Sequence, residues 1–543
     1  MEISKGDRWT EIDEIKNSSC EIRISDKQYV SGGFPLISDG KTSHIYAGEY
    51  NTLEIGSTGS GKSRSGSCPT LISIIRSGES FLAIDAKGEL YHLSHEELKC
   101  SGYDTFVLNL RELLCSGRWN PLSYPYKLYK TGNPEDMNKA LEMINDIATN
   151  IFVDGTEDTK FDPFWPNSAK KTFLGLVEAL FLIGSPEQIN LFNVYYMLIK
   201  GCEKFASSTY LREFFKTCIG ESSPAYMNIS TYLNAANDTR ASIEAVFLEG
   251  LQIFGTSEIM KDTLSHNGFD ISTITNKKTA LFVIVPDEST RYHKFAGIFV
   301  SQVYQQYIRL AHEKYNAVLP RRVNFLLEEF GNMRVPDAPA MLSACRSRNI
   351  RFFLIIQTLS QLEFKYGSAN ADVLMSNCGL WVCFFTNHIQ TLERISKLCG
   401  ERRVCIGNHV YKEPLISIAQ LQNFETGQAL IRLGGKQFIT NLPDISKYNY
   451  DEPIPVTFKK RNLKDIDCFD VQAITKEHRA QKMKESMNEQ PEGSPSWPVF
   501  IPPNVEFLSD AIDEKIATIE ADMKTRREKL AIELKEKKEA EDK

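Results

Sequence analysis

The twelve cysteines of this 543-residue chain form no C-x-x-C pair anywhere between Cys20 and Cys468. That excludes a zinc-ribbon or thioredoxin-like framework and suits reduced thiols in a cytosolic protein. Nor is there a run of the roughly 18 apolar residues that a membrane-spanning helix needs. The longest apolar stretches, around 173–183 and 279–285, have the length of core elements. The polar start, MEISKGDRWTEIDEIKNSS, has no apolar region of the kind a secretory signal carries. Positive charge is in deficit as well: 63 Lys and Arg against 70 Asp and Glu leave a formal charge of −7. A nucleic-acid partner would have to be met by a local basic surface or a pore, not by net charge. What remains is ordinary globular composition, 42% hydrophobic and 24% charged. The length suits about three or four folding units.

Short β-branched or aromatic runs bounded by turn residues recur at 52–55, 81–85, 106–108, 279–285, 323–327, 351–356, 380–385 and 429–433, and these read as buried strands. Helix-length segments such as 295–314 and 338–347 lie between them, which predicts a mostly parallel α/β sheet. Residues 165–268 break the pattern. They offer helical segments at 168–182, 191–199, 211–217 and 242–254 and no strand, so an all-α domain inserted in the α/β fold is expected. The resulting division is an N-terminal segment 1–30, a nucleotide-binding part 31–164, the all-α domain 165–268 and a second nucleotide-binding part 269–470. A linker at 471–505 and a charged C-terminal helix or tail at 506–543 complete it. The linker expectation rests on Pro491, Pro495, Pro498, Pro502 and Pro503. The tail expectation rests on Ile512, Ile516, Ile519, Met523, Leu530 and Leu534, one apolar stripe amid dense Lys and Glu.

One motif carries chemistry. Gly56, Ser57, Thr58, Gly59, Ser60, Gly61, Lys62 and Ser63 fit G-x-x-x-x-G-K-[ST] at every fixed position, directly after the strand 52–55. Glycines let successive backbone N–H groups turn inward on phosphates; Lys62 adds a point charge, and the Ser63 hydroxyl can ligate Mg2+. Hydrolysis needs acids too. The run 323–327 ends in Glu328 and Glu329, at the edge of the sheet where ligands of open α/β folds bind. Glu328 can hold Mg2+ and Glu329 can polarise an attacking water; a pair of solvated strand-end glutamates is the blander alternative. The strand 351–356 ends in Gln357, an uncharged group able to bond a γ-phosphate or the water. Arg346, Arg348 and Arg351 precede it, each either a surface residue or a guanidinium for transition-state charge, supplied by a neighbouring subunit.

Taken together, these segments resemble the type IV coupling proteins of bacterial conjugation and secretion systems, the TraG/TraD group, relatives of the FtsK/HerA DNA-pumping ATPases. The resemblance runs over about residues 30–450. It is carried by the phosphate loop, by Asp85-Ala86-Lys87-Gly88-Glu89, by Trp119-Asn120-Pro121-Leu122 and by Asp162-Pro163-Phe164-Trp165. Glu328-Glu329-Phe330-Gly331-Asn332, and Gln357 with Gln361 and Tyr366-Gly367, complete it. It implies a RecA-like motor domain with an inserted all-α domain, assembled as a homo-hexamer. Such a ring uses ATP and Mg2+ to deliver relaxase-bound single-stranded DNA or protein effectors to a secretion channel. By the same resemblance Lys62 and Ser63 are phosphate and Mg2+ ligands, Glu328 and Glu329 the acidic pair, Gln357 the γ-phosphate sensor and Arg346 the trans-acting arginine. Asp85 and Lys87 belong near the nucleotide edge.

Two features depart from the family pattern. The acidic pair begins with glutamate where aspartate is usual, and no apolar anchor precedes a phosphate loop that starts near residue 56. The second implies either a shortened chain or a naturally soluble version at the inner face of the membrane, docked by a separate membrane protein through residues 1–50. A soluble FtsK/HerA-like DNA translocase is a competing reading. So is a nucleotide-binding substrate receptor with little hydrolysis, which the unusual Glu328 keeps in play.

Overall fold

The computed structural model describes residues 8–153, 162–406, 409–448, 450 and 456–488. Its centre is a nine-stranded sheet, numbered here in chain order: β1 Asn51–Ile55, β2 Ser80–Asp85, β3 Asp104–Asn109, β4 Thr279–Ile284, β5 Val323–Leu327, β6 Ile350–Ile356, β7 Cys378–Cys383, β8 Gln428–Leu433 and β9 Lys436–Asn441. The spatial order is β9-β8-β7-β1-β6-β5-β2-β4-β3. The seven strands from β7 to β3 run parallel, and β8 and β9 close one side as an antiparallel hairpin. All eight expected strands are in this sheet, and the chain is α/β with a RecA-like arrangement.

The inner strands β1, β2, β4, β5 and β6 are buried at every residue, as parallel strands covered by helices on both faces require. The period of two decides which core a residue joins. Leu53, Ile55, Leu82, Ile84, Leu327, Leu354 and Ile356 enter a core shared with the helices that follow. Phe81, Ala83, Leu326, Phe353, Ile355 and Val382 enter the other core. There they meet Leu71, Ile72 and Ile74 of helix α1 (Cys68–Arg76), and Phe34, Leu36 and Ile45 of a small antiparallel sheet. That small sheet, Cys20–Arg23, Thr42–Tyr46 and Phe34–Ser38, was not visible in the sequence. Its strands have four or five residues and only partial alternation.

Among the described residues, helices run from Ser123 to Ser265, interrupted by one hairpin of two residues a side, Lys204–Phe205 with Ser208–Thr209. Phe152 at the end of the helix Pro134–Phe152 meets Phe173 and Phe247 at 5.6 and 5.4 Å. Trp119, fully buried, stands edge-on to Phe299, and Pro121 O accepts from Gln302 Nε2 at 2.8 Å. The Trp-Asn-Pro-Leu segment therefore joins the helix His293–Lys314 to the helical region, where Asn120 Nδ2 donates to Ile189 O at 2.5 Å.

Arg351 does not lie at the surface. Fully buried inside β6, it donates to Asn324 Oδ1 at 3.0 and 2.9 Å and to the carbonyls of Gly48 and Gly32. Its guanidinium ties the small sheet to the large one, because a buried fork with five donors needs acceptors from several elements.

The described residues up to His478 belong to one compact unit, and the last turns of the helix Val471–Asn488, from Arg479 on, belong to a second. The linker expected at 471–505 is thus helical over 471–488. This stretch is rich in Lys, Glu, Gln and Ala, good helix formers, and its first proline comes only at 491. The expected tail at 506–543 lies outside the described residues. Among the described residues no helix is long and apolar enough to cross a membrane.

Residues 456–470, extended and without regular structure, strap the sheet layer to the helices. Phe458 stacks on Tyr91 at 5.6 Å. Arg461 donates to Ser116 O at 2.8 Å and pairs with Asp262. Asp262 is 1% exposed and also takes Arg118 Nε at 3.0 Å and the Lys464 N–H at 3.0 Å, with His266 Nδ1 at 3.4 Å. Farther on, Asn193 bonds Asp467 O and the Phe469 N–H. Asp262→Ala leaves two guanidinium groups facing each other without their shared anion. A loss of about 3–5 kcal/mol is expected, read as a lower urea midpoint at unchanged m-value; a change under about 1 kcal/mol would remove this knot from the fold's essential contacts.

Candidate active site

Four consecutive strands, β1, β6, β5 and β2, end side by side at one edge. Ile55 pairs with Ile356, Leu354 with Leu327, and Leu327 with Ile84. Gly56 and Gln357 thereby follow neighbouring strands about 4.8 Å apart, as do Glu328 and Asp85, while β6 runs two residues past the end of β5.

The loop after β1 wraps as its glycines allow. Gly59 and Gly61 have φ of 80° and 99°, left-handed values that side chains with a Cβ rarely adopt. A Cβ on Gly61 would also lie 2.9 Å from the Gly427 N atom, whose N–H donates to Ser60 O. The following helix opens with a wide π-type turn, Lys62–Ser67, before α1. Arg64 anchors it through a two-pronged pair with Asp444, at 2.6 and 2.8 Å, which holds the Asp444 carboxyl far below the usual range. The Lys62 ammonium is turned onto the loop itself, donating to Gly56 O and to Ser57 O at 3.3 Å. Burial pushes it below its ordinary value, against the pull of Glu54, Glu329 and Glu328.

Glu328 is 7% exposed. Its Oε2 accepts weakly from the Ala86 N–H at 3.5 Å. Burial, aided by Asp85, pushes its carboxyl up to about 8, while the Ser63 hydroxyl beside it draws it down. No hydrogen bond of good geometry reaches Oε1. A hydroxyl and a buried carboxyl with an unused oxygen, side by side, are the donor set that a hard divalent cation takes along with phosphate oxygens.

Glu329 sits in a strained left-handed conformation, φ 52° and ψ 33°. Gln357 Nε2 donates to both its oxygens at 3.2 Å and Asn332 Nδ2 to one at 2.7 Å. Gln361 steadies both neighbours: its Oε1 accepts from the Gln357 N–H at 2.9 Å, and its Nε2 reaches Asn332 Oδ1 at 3.4 Å. Tyr366 stacks on Phe330 and donates to Met333 O, clamping the loop behind the pair. Asp85 has a different task. Its oxygens accept the N–H groups of Gly88 at 2.7 Å and Tyr91 at 2.9 Å, fixing the start of the helix Glu89–Cys100. Burial still lifts it to about 6. Lys87 beside it is exposed and acts on Lys62.

The structure thus gathers the phosphate loop, Asp85, Lys87, Glu328, Glu329 and Gln357 at one edge. Arg346 is elsewhere. It precedes β6, at the opposite edge of the sheet, roughly 20 Å from Gln357 along a seven-residue strand. There it is exposed and pairs with Glu49 at 2.7 Å. It cannot reach the loop of its own chain. Two residues escaped the sequence reading: Asn332, seen only as part of a motif, and Glu54, a charged residue inside the apolar strand that feeds the loop.

The family described as Type IV secretory system conjugative DNA transfer matches residues 8–410. The chain belongs to this family. It is 25% identical over 445 residues to the VirD4 protein of Rhizobium radiobacter, covering 78% of this chain and 59% of that protein. It is 22% identical over 392 residues to VirD4 of Rhizobium rhizogenes, covering 70% and 54%. The chain therefore spans little more than half the length of these relatives. The plasmid coupling protein TrwB, solved with the ATP analogue ADPNP and with ADP and Mg2+, has the same fold. Each comparison gives a TM-score of 0.58 at 16% identity, over 84% of this chain and 95% of that one.

Glu328 makes stability depend on pH. Its carboxyl titrates near 8 in the folded chain and near its ordinary 4.5 when unfolded. Between these values the unfolded chain binds fewer protons, so this group's contribution falls as pH rises. Glu328→Gln is expected to flatten the decline of unfolding free energy between about pH 5 and 8, measured by urea denaturation across that range. An unchanged slope would show that the carboxyl is not held protonated.

Proposed function

We propose that the chain is an ATP-hydrolysing coupling protein. It recruits relaxase-bound single-stranded DNA or secreted proteins and passes them to a type IV secretion channel as a homo-hexamer. The observation that carries this reading is the alignment of the phosphate loop, Gln357, the acidic pair and Asp85 on four adjacent parallel strand ends. Membership of the conjugative DNA-transfer family supports the destination, and the complexes of TrwB with ADPNP and with ADP and Mg2+ support the ligands.

In this reading Gly56–Ser63 wrap the ATP phosphates, and Lys62 leaves the carbonyls of Gly56 and Ser57 to meet them. Ser63 and Glu328 would hold Mg2+, which supplies neutralising charge on the phosphate oxygens. Glu329, gripped by Gln357 and Asn332, polarises the attacking water, while Gln357 also faces the γ-phosphate. Asp85, occupied with backbone N–H groups, fixes where Lys87 stands. Arg346 serves the nucleotide of a neighbouring copy, which makes hydrolysis depend on assembly. The ring works in the cytoplasm, at the inner face of the membrane that holds the secretion channel.

A second reading, a nucleotide-binding receptor with little turnover, is favoured by one observation: a Glu328 carboxyl held up to about 8 is a reluctant cation ligand at neutral pH. Steady-state ATP hydrolysis separates the two. Turnover that rises with single-stranded DNA and with protein concentration, and vanishes in Lys62→Ala, is expected of the motor. Mixing Lys62→Ala with Arg346→Ala should then restore part of the activity both lack, because one supplies the arginine and the other an intact loop. Nucleotide binding without DNA-stimulated turnover would favour the receptor.

Asn332→Ala tests the grip on Glu329. Turnover should fall roughly ten- to a hundredfold with KM moved less than about threefold; an equal rise in KM would make Asn332 a binding residue instead.

A further inference from the structure

The helix Pro134–Phe152 buries apolar residues with one exception. Asn150 is 3% exposed, close to the end of that helix. A buried amide costs free energy unless a particular partner pairs with it. Its partner comes from a distant part of the chain: Nδ2 donates to Arg334 O at 3.0 Å, while Oδ1 has no hydrogen bond of good geometry. The side chain serves there as a donor.

Arg334 belongs to the loop that leaves β5 and carries Glu329. Both ends of the stretch 329–337 have left-handed backbone that residues with a Cβ seldom adopt, Glu329 at φ 52° and Asp337 at φ 56°. Strain of this kind persists where the surroundings hold the chain in place. From one side the helix Leu359–Tyr366 does so: Tyr366 accepts the Val335 N–H at 3.1 Å and donates to Met333 O at 3.2 Å. From the other side the hold comes from Asn150, together with the helix His293–Lys314. A Cβ on Gly297 of that helix would lie 2.0 Å from Arg334 O and 3.4 Å from Asn150 Nδ2, so only glycine lets carbonyl and amide meet there.

Behind Asn150 stand helices, not the sheet. Phe152 meets Phe173 and Phe247, and Lys294, in the first turn of the helix His293–Lys314, donates to Gly250 O at 2.7 Å. Phe173, Phe247 and Gly250 all belong to the helical region.

We propose that Asn150 is a positioning residue for Glu329: its amide fixes the far side of the glutamate's loop and so ties the carboxylate to the packing of the helical region. This rests on the motor reading, in which Glu329 polarises the attacking water. Without the tie, Tyr366 still grips the loop from one side, but nothing opposes it from the other at Arg334, and the carboxylate leaves the line of attack. A misplacement of about 1 Å costs up to roughly a hundredfold in rate. The phosphate loop has its own supports, at Gly427 and Asp444, so nucleotide affinity stays.

The test is a double-mutant cycle on the full chain. Steady-state ATP hydrolysis with single-stranded DNA present is measured for the wild type, Asn150→Leu, Asn332→Ala and the double variant. Leucine has nearly the size of asparagine and no donor. Asn150→Leu is expected to lower kcat about tenfold with KM moved less than about twofold. In the Asn332→Ala background the same substitution should cost less than about threefold, because both act through the placement of Glu329. Unchanged turnover, a rise in KM as large as the fall in kcat, or the full loss in both backgrounds would overturn the proposal, because a merely structural amide acts regardless of Asn332. Melting temperatures check folding. Should the leucine variant fail to fold, Asn150→Ala, smaller than the native side chain, carries the same expectation. A wild type that binds ATP without turning it over would sink the motor reading, and this proposal with it.

Discussion

Parallel pairing of β1, β6, β5 and β2 is the constraint on which the rest depends. Parallel strands put all their carboxyl ends on one edge; the register sets Ile55 level with Ile356 and Leu327 level with Ile84, with β6 reaching two residues farther than β5. No other element has to place the phosphate loop beside Gln357, or Gln357 beside the acidic pair. What the side chains add is fine adjustment: two amides hold Glu329 in a strained turn, and Asp85 pins a helix start. The same pairing leaves Arg346 at the far edge. A residue that precedes a parallel strand cannot serve the site that follows it in the same chain.

Much of this was legible in residue order. Buried strands read as apolar runs, so the parallel strands β1 to β7 and the antiparallel β8 stood out, and the phosphate loop and Glu328-Glu329 followed from what ended them. The small sheet at 20–46 did not, because short strands with one solvated face give too few residues to show a period. Residues 456–470 gave no signal either. An extended segment satisfies its backbone through partners far away in sequence, such as Asp262 and Asn193, and no local pattern encodes them. Arg351 was misread as a surface candidate, because charge alone says nothing of Asn324 and two loop carbonyls waiting inside.

Glu54 shows another limit. A lone acid in an apolar strand looks like noise until the glycine that makes room for it is seen on the facing turn. The pair Glu54 and Gly66 is a tertiary statement written twelve residues apart. Three buried carboxyls, Glu54, Asp85 and Glu328, lie close to one half-buried lysine, Lys62. That crowding is costly in a folded chain, and it is the kind of cost that persists where binding a charged ligand relieves it.

The strap has a consequence for biogenesis. Everything it fastens, from Tyr91 and Arg118 to Asn193 and Asp262, leaves the ribosome long before residues 456–470 do. The sheet itself is completed only in that interval, because β1, β2 and β3 neighbour none of one another and wait for β4, β5, β6 and β7. Only then can Arg461 join Arg118 at Asp262. Until that moment a nascent chain carries an acid and an arginine with half their final complement, and a chaperone that shields charge, not only greasy surface, would find its client there.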